Sequence, residues 1–329
     1  MINDLTFHSQ FGDRISLFIS EKRALGYKYC AEAGYLKNFD QFVCRLGYTE
    51  DAISKELFDQ WTNRRFHERE KTCQNRTNIL TQFCKYVVRI GGQAYIPHPG
   101  MRLHRDISYR PHIFTDSELT RFLAAVQALP GHTRRKEVMY MLFSLLICTG
   151  MRLGEALWLE WGDVDFMATP VLITIRKAKF DKERIIPIAG NLSSQLLHYS
   201  QKSKLNNPDG KYVFPSIHGT PYPESNVYIT FRKALWKAGI SHGGSGKGPR
   251  IHDFRHTFAV KSLRKMVLAG EDIMAVMPLL SQYLGHKNIY ATQTYLQFTA
   301  DMYPYVTETM EKTLGSIIPG LEASYDETH

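Results

Sequence analysis

The chain contains 329 residues, of which 43% are hydrophobic and 12% aromatic. This is enough apolar material for one large or two ordinary globular domains, and it excludes a disordered chain. The 41 Lys and Arg residues exceed the 32 Asp and Glu residues and leave a formal charge of +9, which favours a polyanionic partner.

Neither a membrane segment nor a disulfide framework is predicted. The longest apolar run, residues 138–148, is shorter than the roughly 18–20 residues that a membrane span needs, and the amino terminus lacks a basic leader. The five cysteines form an odd set without a C-x-x-C pair, so they predict no zinc ribbon and indicate a reducing compartment. We therefore expect a cytoplasmic protein.

Residues 1–95 are predicted to form one small helical domain. Apolar residues recur there at helical spacing and indicate four short helices. The cations interleaved with this pattern, which are candidates for contacts with a DNA backbone, are Arg64, Arg65, Arg69, Lys71, Arg76 and Lys85. A solvated helix face would give the same pattern, so both interpretations stay open.

The helical pattern stops at a predicted interdomain linker, residues 96–111, which is rich in proline, glycine and basic residues. Arg102 and Arg105 in this linker are further candidates for DNA contacts. The second domain, residues 112–329, begins with a predicted helix. Its first turn has the capping-box pair Thr115 and Glu118.

The second domain is predicted to be mainly α with a small antiparallel β-sheet. A long apolar helix ends at Thr149-Gly150. Two β-branched runs, residues 171–175 and 184–188, flank a polar turn and predict a hairpin. The glycine-rich residues 243–248 do not complete a phosphate-binding loop, because Ser241 stands at its first glycine position and Gly248 at its final Ser or Thr, so we predict a plain loop there.

Two arginine motifs and a late tyrosine predict a phosphodiester site. Arg255 lies three residues after His252, so both side chains share one helix face. The guanidinium groups of Arg152 and Arg255 match phosphate oxygens two at a time. Tyr295 lies nine residues after His286 and offers a phenol that could attack phosphorus.

His252 and His256 also have the spacing of a helical zinc pair. The metalloprotease version needs a glutamate and a third ligand, and Arg255 would repel a cation. We therefore predict no metal, and we expect His256 to be a buried histidine with its hydrogen bonds satisfied. The rivals of Tyr295 as nucleophile are Tyr290, Tyr303 and Tyr305.

Taken in order, residues 149–157, residues 252–259 and the Leu-Gly-His segment 284–286 with Tyr295 resemble the motifs of the tyrosine recombinase, or phage-type integrase, family. The resemblance covers roughly residues 114–298. The amino-terminal domain resembles the core-binding domain of the family only in size, position and helicity.

The family carries a catalytic lysine in the β-hairpin. Lys179 fits the family spacing best, and Lys177 and Lys182 compete for the role. Two departures are small: the hairpin turn lacks the glycines of many members, and Gln297 stands where a histidine often follows the tyrosine.

The resemblance implies a mechanism without metal, ATP or another cofactor. Tyr295 would attack the scissile phosphate to give a 3′-phosphotyrosine and a free 5′-hydroxyl, so the covalent link retains the bond energy. Arg152 and Arg255 would hold the non-bridging oxygens and stabilise the charge of the transition state.

The remaining residues would transfer protons or hold the phosphate and the site in place. Lys179 would act as general acid toward the departing 5′-oxygen, and His252 would assist proton transfer with the tyrosine. His286 would donate a hydrogen bond to the phosphate, and Glu155 would brace the site.

The resemblance also implies the partners: double-stranded DNA with recombination sites, and a homotetramer assembled on paired sites in a prokaryotic cytoplasm. The role that it implies is in the movement of a mobile element. The segment after Tyr295, through residues 310–319, could dock on a neighbouring protomer or pack on its own chain. Two alternatives remain open from sequence: a relaxation enzyme like the type IB topoisomerases, and a non-catalytic DNA-binding regulator.

Overall fold

Two units divide the chain, Met1–Tyr109 and Arg110–His329, and each has its own hydrophobic core. The computed structural model describes residues 5–68, 70–98, 110–176, 183–188, 190–207, 209–243, 248–285, 292 and 295. Within these ranges, no helix combines the length and apolar composition that crossing a bilayer requires.

The described part of the first unit contains the four helices that the apolar spacing predicts. They are α1 (Gly12–Ala24), α2 (Cys30–Leu46), α3 (Lys55–Thr62) and α4 (Glu70–Arg89). Phe18, Phe39 and Phe83 form much of the core. The buried carboxylate of Asp40 accepts backbone N–H bonds from His8 and Ser9 and so attaches the segment before α1 to α2.

The second unit is mainly helical with a small sheet, which confirms the predicted fold class. Its helices are α5 (Asp116–Gln127), α6 (Thr133–Thr149), α7 (Leu153–Leu157), α8 (Asn191–Asn206), α9 (Glu224–Lys237), α10 (Asp253–Leu268) and α11 (Ile273–Leu284). Its strands are β1 (Val164–Asp165), β2 (Val171–Ile175) and β3 (Arg184–Ile188). The predicted capping box is present at the start of α5, where Thr115 and Glu118 exchange hydrogen bonds.

The three strands form an antiparallel sheet in the order β1-β2-β3. Ile173 pairs with Ile186 at the centre of the predicted β2–β3 hairpin. The sequence analysis missed β1, because two residues are too few to show an alternating pattern.

Gly150 ends α6 and determines where the following chain goes. Its φ of 62° is left-handed, a conformation that glycine adopts at little cost. A Cβ atom at Gly150 would lie 2.5 Å from Cδ1 of Phe258 on α10. The absence of a side chain therefore lets α10 approach the α6–α7 junction, where Arg152 lies.

Asp253 anchors the amino end of α10. Its buried carboxylate accepts the backbone N–H of Arg250 at 2.9 Å and of His112 at 3.3 Å. One turn later, the hydroxyl of Thr257 accepts the backbone N–H of Phe114 at 2.9 Å. These bonds fix the first turn of α10, which carries Arg255.

Candidate active site

Arg152 occupies the N-cap position of α7, two residues after Gly150. Its backbone N–H donates to Oε2 of Glu155 at 2.9 Å, and its Nη1 donates to Oε1 of the same carboxylate at 2.7 Å. Glu155 is buried, so its charge orients Arg152 without competition from water. This supports the bracing role expected for Glu155.

Arg255 is among the most buried charged side chains described, with 2% of its surface exposed. Its Nη1 donates to the carbonyl oxygen of Gly150 at 2.9 Å, and its Nη2 donates to that of Leu284 at 2.5 Å. One guanidinium thus connects α10 to the α6–α7 junction and to the end of α11. Burial, followed by the charge of Arg152, lowers the pKa of Arg255 to about 10, so the side chain remains charged at neutral pH.

Tyr295 lies with its side chain 2% exposed in a cluster with residues of α10 and α11. Burial raises the pKa of its phenol, against the opposing charge of Arg255 and a side-chain hydrogen bond with that residue. Arg152 is near enough to act on the phenol in the same direction. The structure therefore brings together Tyr295, Arg255 and Arg152, which are far apart in the sequence.

His252 and His256 continue this arrangement. The two rings meet edge to face with centroids 4.9 Å apart, and the ring of His256 meets that of Tyr295 at 5.5 Å. The loss of solvating water around the charged ring, followed by the charges of His256 and Arg255, lowers the pKa of His252 to about 4. The side chain of His252 is exposed, so solvent moderates this lowering of its pKa; the ring is neutral at pH 7 and able to accept a proton.

The expectation of a fully hydrogen-bonded His256 is wrong. Its Nδ1 is buried and has no hydrogen-bond partner among the residues that the structure describes. The reason is its helical position, from which the ring contacts the aromatic rings of His252 and of Tyr295. Burial also lowers the pKa of His256, so the ring is uncharged at neutral pH.

Arg184 is a site residue that the sequence analysis missed. It begins β3, and its two terminal nitrogens donate to the two carboxylate oxygens of Glu155 at 3.0 and 2.6 Å. A usable signal was present: alternate strand residues share one face of a sheet, and Ile186 and Ile188 are buried. An arginine in register with two buried isoleucines needs a partner inside the protein.

Several predicted site residues lie outside the described ranges, so nothing is said of their placement. They are Lys179 with its competitors Lys177 and Lys182, His286, Tyr290, Arg69, Arg102, Arg105 and the segment after Tyr295. Within the described ranges, no three His, Cys, Asp or Glu side chains form a cluster that could hold a metal ion.

The predicted DNA contacts of the first unit fall into two groups. Four of the cations have exposed side chains: Arg64, Arg65, Lys71 and Lys85. Arg76 is buried, with its guanidinium paired to Glu68 at 2.6 Å and stacked on the ring of Trp61. Arg76 is therefore not available for the predicted DNA contact, because the charge of its guanidinium is neutralised by Glu68.

A phenol and two guanidinium groups gathered at the end of α11 define an anion-directed site of the kind that suits phosphoryl transfer. The chain belongs to the phage integrase family, whose model matches residues 112–301. A protein of Sinorhizobium fredii provisionally named integrase/recombinase y4rB is 29% identical over 92% of this chain and 98% of its own length.

Two solved structures share the fold. The Tn1549 transposon integrase in complex with transposon right end DNA is 17% identical, has a TM-score of 0.64, and is matched over 91% of this chain and 98% of its own. A lambda integrase tetramer bound to a Holliday junction is 16% identical, has a TM-score of 0.62, and is matched over 86% of this chain and 76% of its own.

Proposed function

We propose that this member of the phage integrase family is a site-specific DNA recombinase that cuts and rejoins strands through a 3′-phosphotyrosine at Tyr295. The observation that carries the proposal is the contact between the Tyr295 phenol and the buried guanidinium of Arg255, with Arg152 close by. A nucleophile beside two fixed cations is what attack on a phosphodiester requires.

The two arginines bind the scissile phosphate. Each has a guanidinium held in place by protein acceptors, Glu155 for Arg152 and the carbonyls of Gly150 and Leu284 for Arg255. Groups that are already oriented stabilise the charge of the transition state without the cost of reorganisation. The N–H groups not engaged by the protein then donate to the non-bridging oxygens.

Proton transfer follows from the pKa values. The raised pKa of Tyr295 keeps its phenol protonated at neutral pH, so the attack needs a proton acceptor. His252 has a pKa of about 4 and is therefore neutral and free to take that proton. We assign the general acid for the departing 5′-oxygen to Lys179 and a hydrogen bond to the phosphate to His286.

The covalent link conserves the energy of the broken phosphodiester bond, so the reaction needs neither ATP nor a metal ion. We propose that the substrate is double-stranded DNA with paired recombination sites, exchanged within a homotetramer, and that the role is in the movement of a mobile element. The likeness to a transposon integrase on DNA and to an integrase tetramer on a Holliday junction supports this assignment. Arg64, Arg65, Lys71 and Lys85 are exposed and suit contacts with the phosphate backbone, and we assign the same role to Arg69, Arg102 and Arg105.

The proposal is tested by trapping the covalent adduct on a nicked suicide substrate. Tyr295→Phe removes the nucleophilic oxygen and keeps the ring, so we expect no adduct, with DNA affinity nearly unchanged. Tyr283→Phe is the matched control, because Tyr283 stacks on Phe258 through its ring and should cleave as the wild type does. Addition of a metal chelator should leave the adduct yield unaltered.

Three outcomes would contradict the proposal in different ways. Adducts that persist in Tyr295→Phe and vanish in Tyr290→Phe would move the nucleophile to Tyr290. Specific DNA binding with no adduct from any variant, wild type included, would indicate a regulator without catalysis. Relaxation of supercoiled DNA without recombination between paired sites would indicate a topoisomerase.

A further inference from the structure

Three arginines from distant parts of the chain each donate to one of three successive carbonyl groups at the end of α11. Nε of Arg184 donates to Tyr283 at 3.0 Å, Nη2 of Arg255 to Leu284 at 2.5 Å, and Nη2 of Arg152 to Gly285 at 3.0 Å. The last carbonyls of a helix lack helical partners and carry partial negative charge, so cations are favourable there.

Two of these arginines are assigned to the phosphate, but Arg184 is not. Instead, Arg184 shares the carboxylate of Glu155 with Arg152. Oε1 of Glu155 accepts from Arg152 at 2.7 Å and from Arg184 at 3.0 Å, and Oε2 accepts from Arg184 at 2.6 Å. Burial acts to raise the pKa of Glu155, and the hydrogen bonds and charge of Arg184 more than reverse this. The carboxylate therefore stays ionised between two cations.

Gly285 provides an independent sign of the same arrangement. Its φ is +67°, and a Cβ atom there would lie 3.0 Å from Nη1 and 3.2 Å from Cδ of Arg184. The backbone of Gly285 thus lies directly against the arginine side chain. The next residue in the sequence is His286, so the placement of Arg184 and the exit of the chain from α11 depend on each other.

We propose that Arg184 is a positioning residue of the reaction. It orients the guanidinium of Arg152 through Glu155, and it fixes the end of α11 through the carbonyl of Tyr283. The inference rests on the proposed function, since it assigns Arg184 a role in the same cleavage step.

Lysine could not replace Arg184 in this role. The contacts with Glu155 and Tyr283 use three nitrogens of one planar group, whereas an ammonium group offers a single centre. Arg184→Lys therefore keeps the charge and loses the geometry. Arg184→Gln loses both, but Glu155 retains its bonds to Arg152.

The test measures the single-turnover rate of adduct formation at saturating enzyme, together with DNA affinity and the thermal unfolding midpoint. We expect about a 100-fold slower rate for Arg184→Gln and at least about 10-fold for Arg184→Lys, because small misplacements of catalytic groups have effects of this size. DNA affinity should stay within about 3-fold of wild type. Arg135→Gln, which removes an exposed arginine hydrogen-bonded to Thr230, is the control and should cleave normally.

A second substrate separates positioning from a loss of folding. Replacing the scissile phosphate by a methylphosphonate removes the charge that Arg152 binds, so the rate ratio between wild type and Arg184→Lys should shrink on this substrate. A defect caused only by weaker folding would leave the ratio the same on both substrates. Gly285→Ala, which pushes against Arg184 from the other side, should slow cleavage and show the same shrinkage.

The results distinguish this inference from the proposed function. If the wild type forms no adduct, the proposed function fails. If the wild type forms the adduct and Arg184→Lys cleaves within about 2-fold of its rate, or if the rate ratio is equal on the two substrates, the inference about Arg184 is wrong while the function stands.

Discussion

His252, at the N-cap of α10, and His256, one turn later, both have lowered pKa values, and the largest cause in each case is loss of solvation. A histidine whose pKa is lower in the folded than in the unfolded chain remains neutral in the fold while the unfolded chain takes up protons. Protonation of the unfolded chain then favours unfolding. The same neutrality that lets His252 accept a proton therefore makes the second unit sensitive to acid.

We expect the free energy of unfolding to decrease as the pH falls from 6.5 toward about 4, the ordinary and folded pKa values of His252. His252→Gln should flatten this part of the profile in chemical denaturation at a series of pH values. Glu155, whose pKa is lowered from its ordinary value of 4.5, adds a loss that begins only at the lower end of this range, so the upper part of the range reports on the histidines. An unchanged slope between pH 6.5 and 4 in the variant would contradict the assigned pKa of His252.

The sequence predicted site residues where a motif exists and failed where only a contact exists. Arg152, Arg255 and Tyr295 are marked by ordered motifs, and the structure gathers them at the end of α11. Arg184 is recognisable as a site residue only through its contact with Glu155, which lies 29 positions earlier in the sequence. Within the described residues, Nδ1 of His256 has no hydrogen-bond partner, and this depends likewise on contacts such as that with Tyr295, which the linear order does not show.

At the scale of single elements, α4 carries two basic residues that differ in burial although the apolar pattern of the helix does not distinguish them. Arg76 and Lys85 both interrupt the apolar spacing of this helix, and the sequence treats them alike. In the structure, Arg76 is 3% exposed and paired with Glu68, whereas Lys85 is exposed. Substitution of Arg76 should therefore affect stability, and substitution of Lys85 should affect DNA binding.

We expect Arg76→Ala to destabilise the protein by about 3 kcal/mol, because the carboxylate of Glu68 would lose its guanidinium partner and keep only the backbone N–H of Arg65. Lys85→Ala should change stability by less than about 0.5 kcal/mol. It should instead reduce the slope of log affinity against log salt by about 1. Denaturant unfolding and salt-dependent DNA binding measure the two effects, and an exchange of the two phenotypes would refute both assignments.

Element types were predictable where the pattern was long. The four helices of the first unit, the α5 capping box and the β2–β3 hairpin all agree with the spacing of apolar and polar residues. β1 has two residues and exists because it pairs with β2, not because of its own composition. Local patterns therefore predict the elements that local preferences stabilise and miss those that depend on a neighbour.

At the scale of the whole molecule, the division into two units separates chemistry from part of the positive surface. Arg152, Arg184, Arg255 and Tyr295 all belong to Arg110–His329, which has its own cores. The exposed cations of α4 and the loop before it belong to Met1–Tyr109.

A fragment of residues 110–329 should therefore form the covalent adduct at Tyr295 but bind its substrate less tightly than the full chain. Affinity should fall by about 10-fold or more at 0.1 M salt, because each lost phosphate contact weakens the electrostatic binding. Adduct yield at high DNA concentration and binding by anisotropy measure the two properties. A folded fragment that binds fully and forms no adduct would reverse the assignment of the units.

The three arginine hydrogen bonds to the carbonyl groups at the carboxyl end of α11 also affect when the site can form during synthesis. The guanidinium groups of residues 152, 184 and 255 donate to the backbone carbonyls of residues 283–285. These hydrogen bonds can form only after residues 283–285 have been synthesised. A chain still emerging from the ribosome therefore lacks the assembled centre until residues 283–285 have been synthesised and packed. A product that stops before residue 283 would lack these three acceptors and Tyr295, so it should form no covalent adduct.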